Sequence, residues 1–392
     1  MTAQRLPRYS EAEATATAAL SSPEHVQMSL AAAMVLGLRP GLFLHGAHTR
    51  CLNLLLTYPR GCAANCAYCG LARDRAGSYS DKSFIRVPWP TVALDEVIER
   101  SKERTHLLER MCVSMITQQG SNRDTLEIVR RWTAEPALAS VPVSILSNPT
   151  TMQRQDLIDL RDAGAERFTV ALDAVTAELF EATRGSGVRG PHRFEDYWRV
   201  YDLAHEVFGA DAIGVHLICG MGETERELVE AMARARQKGA YGCLQLFAFN
   251  PEAGSRMQGR GRVPLGQFRR AQLSRYLLDK GLVTADALRF NDRGQIANFG
   301  LPAVELEGII DSGTAFRTSG CPGRECDVSA CNRPFGDGPP SDFSSFPYAP
   351  QRRDIERIKL QLEDYEGRIE REEVAQQYMD ELEDVLMHPC RG

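Results

Sequence analysis

Six short apolar runs recur along the chain, at residues 52–57, 112–117, 141–146, 167–172, 213–218 and 244–249, most of them separated by amphipathic helical stretches. Strands that alternate with helices in this way pair in parallel, because a helical connection carries the chain back to the end of the sheet where the previous strand began. A series of this length closes into a (β/α) barrel, with reactive side chains at the C-terminal ends of the strands. The fold class is therefore expected to be α/β. The 392 residues divide into a helical N-terminal layer at 1–45, a barrel at 46–300, a cysteine-bearing extension at 301–348 and a charged amphipathic helical segment at 349–392.

Polar residues gather where the apolar runs end. They include Thr117-Gln118-Gln119-Gly120, Ser147-Asn148-Pro149, Asp173, and Ile218-Cys219-Gly220-Met221-Gly222-Glu223. Before the first run, the sequence predicts two helices, one from Ser10 to about Leu20 and a longer one from Ser22-Pro23-Glu24 through Leu36, with Ser22 as the cap and Pro23 in the first turn.

Lys and Arg number 46 against 52 Asp and Glu, which leaves a formal charge of −6 and argues against nucleic-acid binding through a basic surface. Residues 352–387 carry 12 acidic and 6 basic side chains, so this tail holds the whole imbalance. Its Ile355, Ile358, Leu362, Tyr365 and Ile369, then Val374, Tyr378, Leu382 and Val385, form an apolar stripe suited to packing on the chain's own barrel or to docking a partner. The apolar run from Ala31 to Leu36 is far short of the roughly 20 residues that span a bilayer, and the N-terminus lacks a signal-peptide pattern. The expectation is a cytoplasmic protein without membrane association.

A reducing compartment makes clustered thiols metal ligands rather than disulfides. Five of the eleven cysteines, Cys51, Cys112, Cys219, Cys243 and Cys390, are scattered and read as small buried hydrophobes. Cys62, Cys66 and Cys69 lie within eight residues, in the loop after the first apolar run. Soft sulfur suits an iron–sulfur cluster or zinc, and no fourth protein ligand for a tetrahedral zinc lies nearby. A cluster held by three cysteines keeps one iron open to another ligand.

The spacing C-x3-C-x2-C, with the aromatic Tyr68 before the third cysteine, resembles the radical S-adenosylmethionine superfamily. The resemblance extends over roughly residues 50–335 and implies a TIM-like radical SAM barrel, a 4Fe-4S cluster on Cys62, Cys66 and Cys69, and S-adenosyl-L-methionine on its open iron. Cleavage of that cofactor would give a 5′-deoxyadenosyl radical. Gln118 and Gln119 stand where the family usually has Gly-Gly-Glu, which binds the methionyl amino group. An amide oxygen can still accept there, although a polar turn explains the same residues. By the same resemblance Tyr68 contacts the cofactor, Asn148 lies at a cofactor-facing strand end, Asp173 meets ribose hydroxyls, and Arg184 reaches the cofactor carboxylate. Asp173 also suits the cap of a helix beginning near Val175. Ile218, Gly220 and Glu223 match a strand-five motif facing the adenine.

A second group, Cys321, Cys326 and Cys331, has the spacing C-x4-C-x4-C, with Pro322, Gly323 and Pro334 holding the segment in turns. Zinc with a distant fourth ligand is one reading, and a second, auxiliary 4Fe-4S cluster is the other. Within the biotin synthase and lipoyl synthase group, the chain is most similar to the two-component archaeal-type lipoyl synthases, which share the C-terminal Arg-Thr-Ser-Gly-Cys-Pro and Cys-Asn-Arg-Pro found here. That resemblance makes the auxiliary cluster a sulfur donor, with Ser319 as a weak iron ligand, and an octanoylated lipoyl-carrier protein the substrate. A second synthase component and a ferredoxin or flavodoxin would be partners. The alternatives are a radical isomerase, lyase or cofactor-assembly enzyme of the biotin-synthase-like group, and a non-catalytic iron–sulfur or zinc scaffold.

Overall fold

The computed structural model describes residues 20–43, 46–76, 85–237, 244–324, 329–334, 336–339, 342–369 and 380. Its centre is an eight-stranded sheet in the order β3-β1-β2-β4-β5-β6-β7-β8. Six of these strands run parallel: β2 (Cys51–Leu56), β4 (Arg110–Ser114), β5 (Val143–Ser147), β6 (Ala165–Asp173), β7 (Ile213–Cys219) and β8 (Leu244–Ala248). They coincide with the six apolar runs to within a few residues. The barrel is partial, because β1 (His25–Met28) adds antiparallel to β2, β3 (Thr91–Ala93) adds to β1, and β8 ends the sheet without meeting β3.

The two faces of this sheet differ chemically. Alternate residues point to opposite faces of a strand. One set, including Leu54, Val113, Ile145, Val170, Val215 and Leu246, is apolar and buried in the core that the helices cover. The other set, Asn53, Cys112, Ser144, Thr169, His216 and Gln245, lines a single cavity. Side chains from six strands reach one cavity only if the sheet curves around it. Unlike a barrel filled with branched aliphatics, this one has a polar interior able to hold a ligand.

The covering helices show the expected spacing. In α3 (Ser121–Thr133) the buried residues include Thr125, Ile128, Val129 and Trp132, and in α6 (Phe194–Phe208) they include Tyr197, Trp198, Tyr201 and Ala204. Helix α2 (Leu94–Glu103) precedes α3 in the chain, α4 (Arg154–Asp162) and α5 (Ala177–Thr183) lie between α3 and α6, and α7 (Glu225–Gln237) follows α6. Helix α8 (Leu265–Asp279) is buried nearly all round, including Arg269 and Arg270, because the C-terminal segment packs over its outer side. Arg269 donates to Gln361 Oε1 at 2.7 Å and to the Ser344 carbonyl at 2.6 Å.

The N-terminal layer departs from expectation. Residues His25–Met28 form a strand, and the helix α1 is only Leu30–Val35, capped by Ser29 rather than Ser22. Tertiary pairing overrides the local pattern: Val26 pairs with Leu56, and Ser22 Oγ accepts from Thr57 N at 3.1 Å. The first expected helix, before Leu20, lies outside the described residues. A two-stranded sheet, β9 (Arg289–Phe290) with β10 (Ile296–Asn298), precedes α9 (Ala303–Ser312). In the charged tail, α10 (Arg352–Leu362) buries Ile355, Ile358 and Leu362 on the chain's own fold. The stripe from Val374 onward lies outside the described residues. Among the described residues, no helix is long and apolar enough to cross a membrane.

One ion pair ties these layers together. Arg270 and Glu225 are each 1% exposed and meet at 2.8 Å, while Arg270 also donates to the carbonyls of Leu362 and Asp364, and Glu225 accepts from Ile296 N at 2.7 Å. Burial pushes the Glu225 carboxyl up, against the pull of Arg270. Replacing only the cation strands a buried carboxylate, so Arg270→Ala is expected to lose about 3–5 kcal/mol in urea unfolding. A loss under about 1 kcal/mol would show that the pair does not hold the C-terminal segment.

Candidate active site

The loop after β2 carries Cys62, Cys66 and Cys69 over the C-terminal end of the barrel, and all three line the cavity. Its conformation is fixed from several sides. Ala63 N donates to the Thr117 carbonyl at 2.7 Å beyond β4, Ala67 N to the Thr183 carbonyl at 2.6 Å at the end of α5, and Met257 N to the Ala67 carbonyl at 3.1 Å. Asn65 Nδ2 donates to the Val188 carbonyl at 2.7 Å and to Asp74 Oδ2 at 3.0 Å. Burial pushes the Cys66 thiol up to about 11 and Cys69 higher still. These thiols therefore keep their protons at neutral pH until a soft metal displaces them.

Asp173 organises the wall beneath this loop. It sits at the end of β6 with φ of 60°, a left-handed conformation uncommon for a residue with a side chain. Tyr68 Oη donates to its Oδ2 at 2.6 Å, Arg184 Nη1 reaches the same oxygen at 2.8 Å, and His216 Nδ1 lies 2.9 Å from Oδ1. Burial opposes its charge, but Arg184, His216 and Tyr68 together hold the carboxyl below its ordinary value. Arg184 also donates to the carbonyls of Ala171 and Leu172 and to Tyr197 Oη. Tyr68, Asp173 and Arg184, each expected to meet the cofactor separately, are thus one another's partners. Asp173 does not cap α5, because Thr176 does so by accepting from Leu179 N.

Two further predicted residues reach the cavity. Asn148 lines it, bonded to Thr117 and accepting from Tyr197 Oη at 3.0 Å, and Ile218 lines it from β7. Three others are engaged elsewhere and do not line it. Gln118 Nε2 donates to the Gly61 carbonyl and its oxygen accepts from Gln119 N, while the Gln119 side chain is exposed. Glu223 accepts from the backbone N–H groups of Gly220, Met221 and Gly222, so it shapes the turn after β7. That turn needs glycine at 220, where φ is 103° and a Cβ would stand 2.3 Å from Val263 Cβ.

The second cysteine group enters from the opposite end. Asn332 bonds to His48 O and Arg50 N, and Arg110 Nε donates to the Pro322 carbonyl at 2.7 Å. These partners stand just before or at the starts of β2 and β4, so the extension closes the N-terminal end of the barrel. Cys321 and Cys331 line the cavity there, whereas Cys326 lies outside the described residues. Ser319 has a different position from that expected of an iron ligand. Its hydroxyl accepts from Leu246 N at 2.8 Å and donates to the Leu246 carbonyl at 3.3 Å, pinning the extension to β8.

Several cavity residues were not singled out from the sequence. Cys51 and Cys112, read there as small buried hydrophobes, are buried or half-buried but face the cavity. So do His192, His216, Thr169 and Gln245. The signal was strand parity: Cys51 and Asn53, like Cys112 and Ser114, alternate with the leucines and valines of the outer face. Burial, aided by the Arg184 charge, lowers His192 to about 2, so its ring is neutral. His192 Nε2, Arg184 Nε and Asn250 Oδ1 are buried in the cavity wall without hydrogen-bond partners among the described residues. Three thiols beside unsatisfied donors and an acceptor fit a thiolate-bound cluster carrying a polar small molecule.

Comparison with known proteins agrees with this donor set. Residues 56–235 match the sequence model of the Radical SAM superfamily, so a radical SAM domain occupies this part of the chain. No curated protein matches the sequence. Among solved structures, methylornithine synthase (PylB) superposes with a TM-score of 0.45 at 14% identity, covering 64% of this chain and 66% of that one. The FeFe-hydrogenase maturase HydG from Carboxydothermus hydrogenoformans gives 0.43 and 14%, with 64% and 56% covered. The radical S-adenosylmethionine methyltransferase TsrM from Kitasatospora setae, solved with cobalamin and a 4Fe-4S cluster bound, gives 0.38 and 19%, with 61% and 42% covered. The match thus spans less than two thirds of the length of each of these proteins.

Asp337, on the extension, gives the cavity floor a pH dependence. It accepts from Thr49 Oγ1 at 3.3 Å, and its Oδ1 has no partner among the described residues. Burial raises its carboxyl from 3.8 to about 6, against the pull of Ser29, Arg333 and Thr49. The folded chain therefore holds this proton more tightly than the unfolded chain. Its contribution to stability is present below pH 4 and lost as pH rises through 6, by about 3 kcal/mol at one pKa unit per 1.36 kcal/mol. Asp337→Asn is expected to raise the anaerobic melting temperature above pH 6 and leave it unchanged near pH 4. Equal shifts at both pH values would exclude this titration.

Proposed function

We propose that the radical SAM domain at residues 56–235 serves a sulfur-insertion enzyme acting on an octanoyl chain carried by a lipoyl-carrier protein. The observation that carries this reading is the shared cavity. A space of about 330 Å3 is lined by Cys62, Cys66 and Cys69 at one end of the barrel and by Cys321 and Cys331 at the other. Leu55, Leu146, Ile218 and Phe247 also line it, which suits an alkyl chain passing between the two groups.

In this reading Cys62, Cys66 and Cys69 hold the cluster that binds S-adenosylmethionine, and the group at 321–331 holds an auxiliary 4Fe-4S cluster. When bound, the first supplies the hydrogen-abstracting chemistry and the second supplies sulfide. The chain's own residues position and shield. Tyr68, Asp173 and Arg184 fix the cysteine loop against the ends of β6 and α5. The neutral His192 and the Asn148 amide offer polar contacts at the C-terminal rim. Cys321 is held by Gln245 Nε2 at 3.2 Å, a hydrogen bond to sulfur of the kind that tunes a cluster ligand. The carrier protein would present its octanoylated lysine to this cavity. A second synthase component and a ferredoxin or flavodoxin would complete the reaction.

The test uses protein reconstituted anaerobically with iron and sulfide, then given reductant, S-adenosylmethionine and an octanoylated lipoyl-domain peptide. Mass spectrometry is expected to show a gain of one or two sulfurs on the peptide. Cys321→Ala is expected to abolish that gain while 5′-deoxyadenosine still forms. Deoxyadenosine with no sulfur gain in the parent protein, even with the partner component added, would replace sulfur insertion by a radical isomerase or lyase reaction. Absence of deoxyadenosine and of iron would leave a scaffold.

A further inference from the structure

At the N-terminal end of the barrel, four thiols from three separate segments face one space. Cys51 opens β2, Cys112 lies on the neighbouring β4, and Cys321 and Cys331 come from the extension that closes this end. All four line the cavity. They are near enough to influence one another electrostatically, Cys51 with Cys112, Cys331 and Cys321, and Cys331 with Cys112 and Cys321, while Cys51 Sγ donates to Asn53 Oδ1 at 3.3 Å in the same wall.

We propose that Cys51 and Cys112 are thiolate ligands, together with Cys321 and Cys331, of an iron–sulfur cluster seated inside the N-terminal end of the barrel. The inference deepens the reading of the second cysteine group as a cluster site, and does not depend on sulfur being transferred from it.

The donor chemistry and the wall around it carry this assignment. An all-sulfur donor set is soft and selects iron–sulfur clusters or zinc. The four thiols line this end of the cavity from two strands and the extension rather than from one loop. In a cluster each thiolate binds a different iron, so its ligands stand apart around it, whereas a tetrahedral zinc gathers them on one point. The wall also supplies what an anionic cluster requires. Arg110, 1% exposed, adds a buried cation beside Cys112, and its Nη1 donates to Ser144 Oγ at 3.0 Å. Gln245 Nε2 donates to Cys321 Sγ, and Thr169 Oγ1 lies 4.0 Å from the same sulfur. Strand residues in the floor also give such a cluster rigid ligands, where the extension alone would supply only a loop.

The test begins with the full chain bearing Cys62→Ala, Cys66→Ala and Cys69→Ala, which removes the first cluster site. After anaerobic reconstitution and desalting, this chain is expected to retain one cluster's complement of iron and acid-labile sulfide. Adding Cys51→Ser or Cys112→Ser is expected to lower the retained iron by roughly tenfold or more, or to replace the EPR signal of the reduced cluster by one with different g-values. Cys219→Ser, which alters a buried cysteine that does not line the cavity, serves as the control and is expected to change neither. Far-UV circular dichroism selects the folded variants, and the two single substitutions are read independently, so a folding defect in one does not decide the result.

Iron content and EPR signal unchanged in both Cys51→Ser and Cys112→Ser would overturn the ligand assignment while leaving an auxiliary cluster, and hence sulfur insertion, intact. A cysteine-triple variant that binds zinc in place of iron, or binds no metal, would overturn the second cluster and sulfur donation together. A Cys51–Cys112 disulfide-linked peptide recovered from the reconstituted protein would also overturn it. A cluster that depends on Cys51 and Cys112 but gives no sulfur to the octanoyl peptide would uphold this inference and overturn only the sulfur-insertion reading.

Discussion

A curved parallel sheet that stops after six strands has an exposed edge and an open end, and the structure of this protein is organised around covering both. The segment after α9 runs along the edge at β8, where Ser319 takes the place of a neighbouring strand by bonding both the N–H and the carbonyl of Leu246. It then turns beneath the barrel, where Asn332, Pro322 and Asp337 engage residues at the starts of β2 and β4. Residues Ser344 and Gln361 complete the cover by accepting hydrogen bonds from Arg269 on α8. The buried Arg270–Glu225 pair belongs to the same arrangement, since the arginine also holds the carbonyls where α10 ends.

This cover explains why the cavity has two chemically distinct ends. At the C-terminal end the cysteine loop is shaped by backbone hydrogen bonds from β4, α5 and the segment near Met257, and by the Tyr68–Asp173–Arg184 network below it. At the N-terminal end the extension brings Cys321 and Cys331 against strand residues that would otherwise face water. Between the two ends, side chains such as Leu55 and Leu146 make the passage partly apolar.

Much of the fold was legible because periodicity survives burial when one face of an element is apolar. The six parallel strands and the stripes of α3 and α6 belong to this class. Helix α8 shows the opposite case, since it is buried on nearly every side and its arginines are held by distant carbonyls and side chains rather than by solvent. The N-terminal strand was hidden for a related reason: a Ser-Pro-Glu start reads as a helix cap locally, but pairing with Leu56 outweighs that preference. Gln118, Glu223 and Ser319 were expected to meet a cofactor or cluster, yet their side chains satisfy neighbouring backbone groups, a choice that depends on which groups the fold leaves unpaired.

The sequence by itself determined the alternating architecture and the chemistry of the cysteine loop, because strand periodicity and three thiols within eight residues are local properties. Only the tertiary structure decided that Cys321 and Cys331 face the first group through one cavity, and that Cys51 and Cys112 line the same cavity. Those thiols lie up to 280 residues apart along the chain. Their meeting is set by which strand face turns inward and by where the extension crosses the open end, which depend on packing between distant segments.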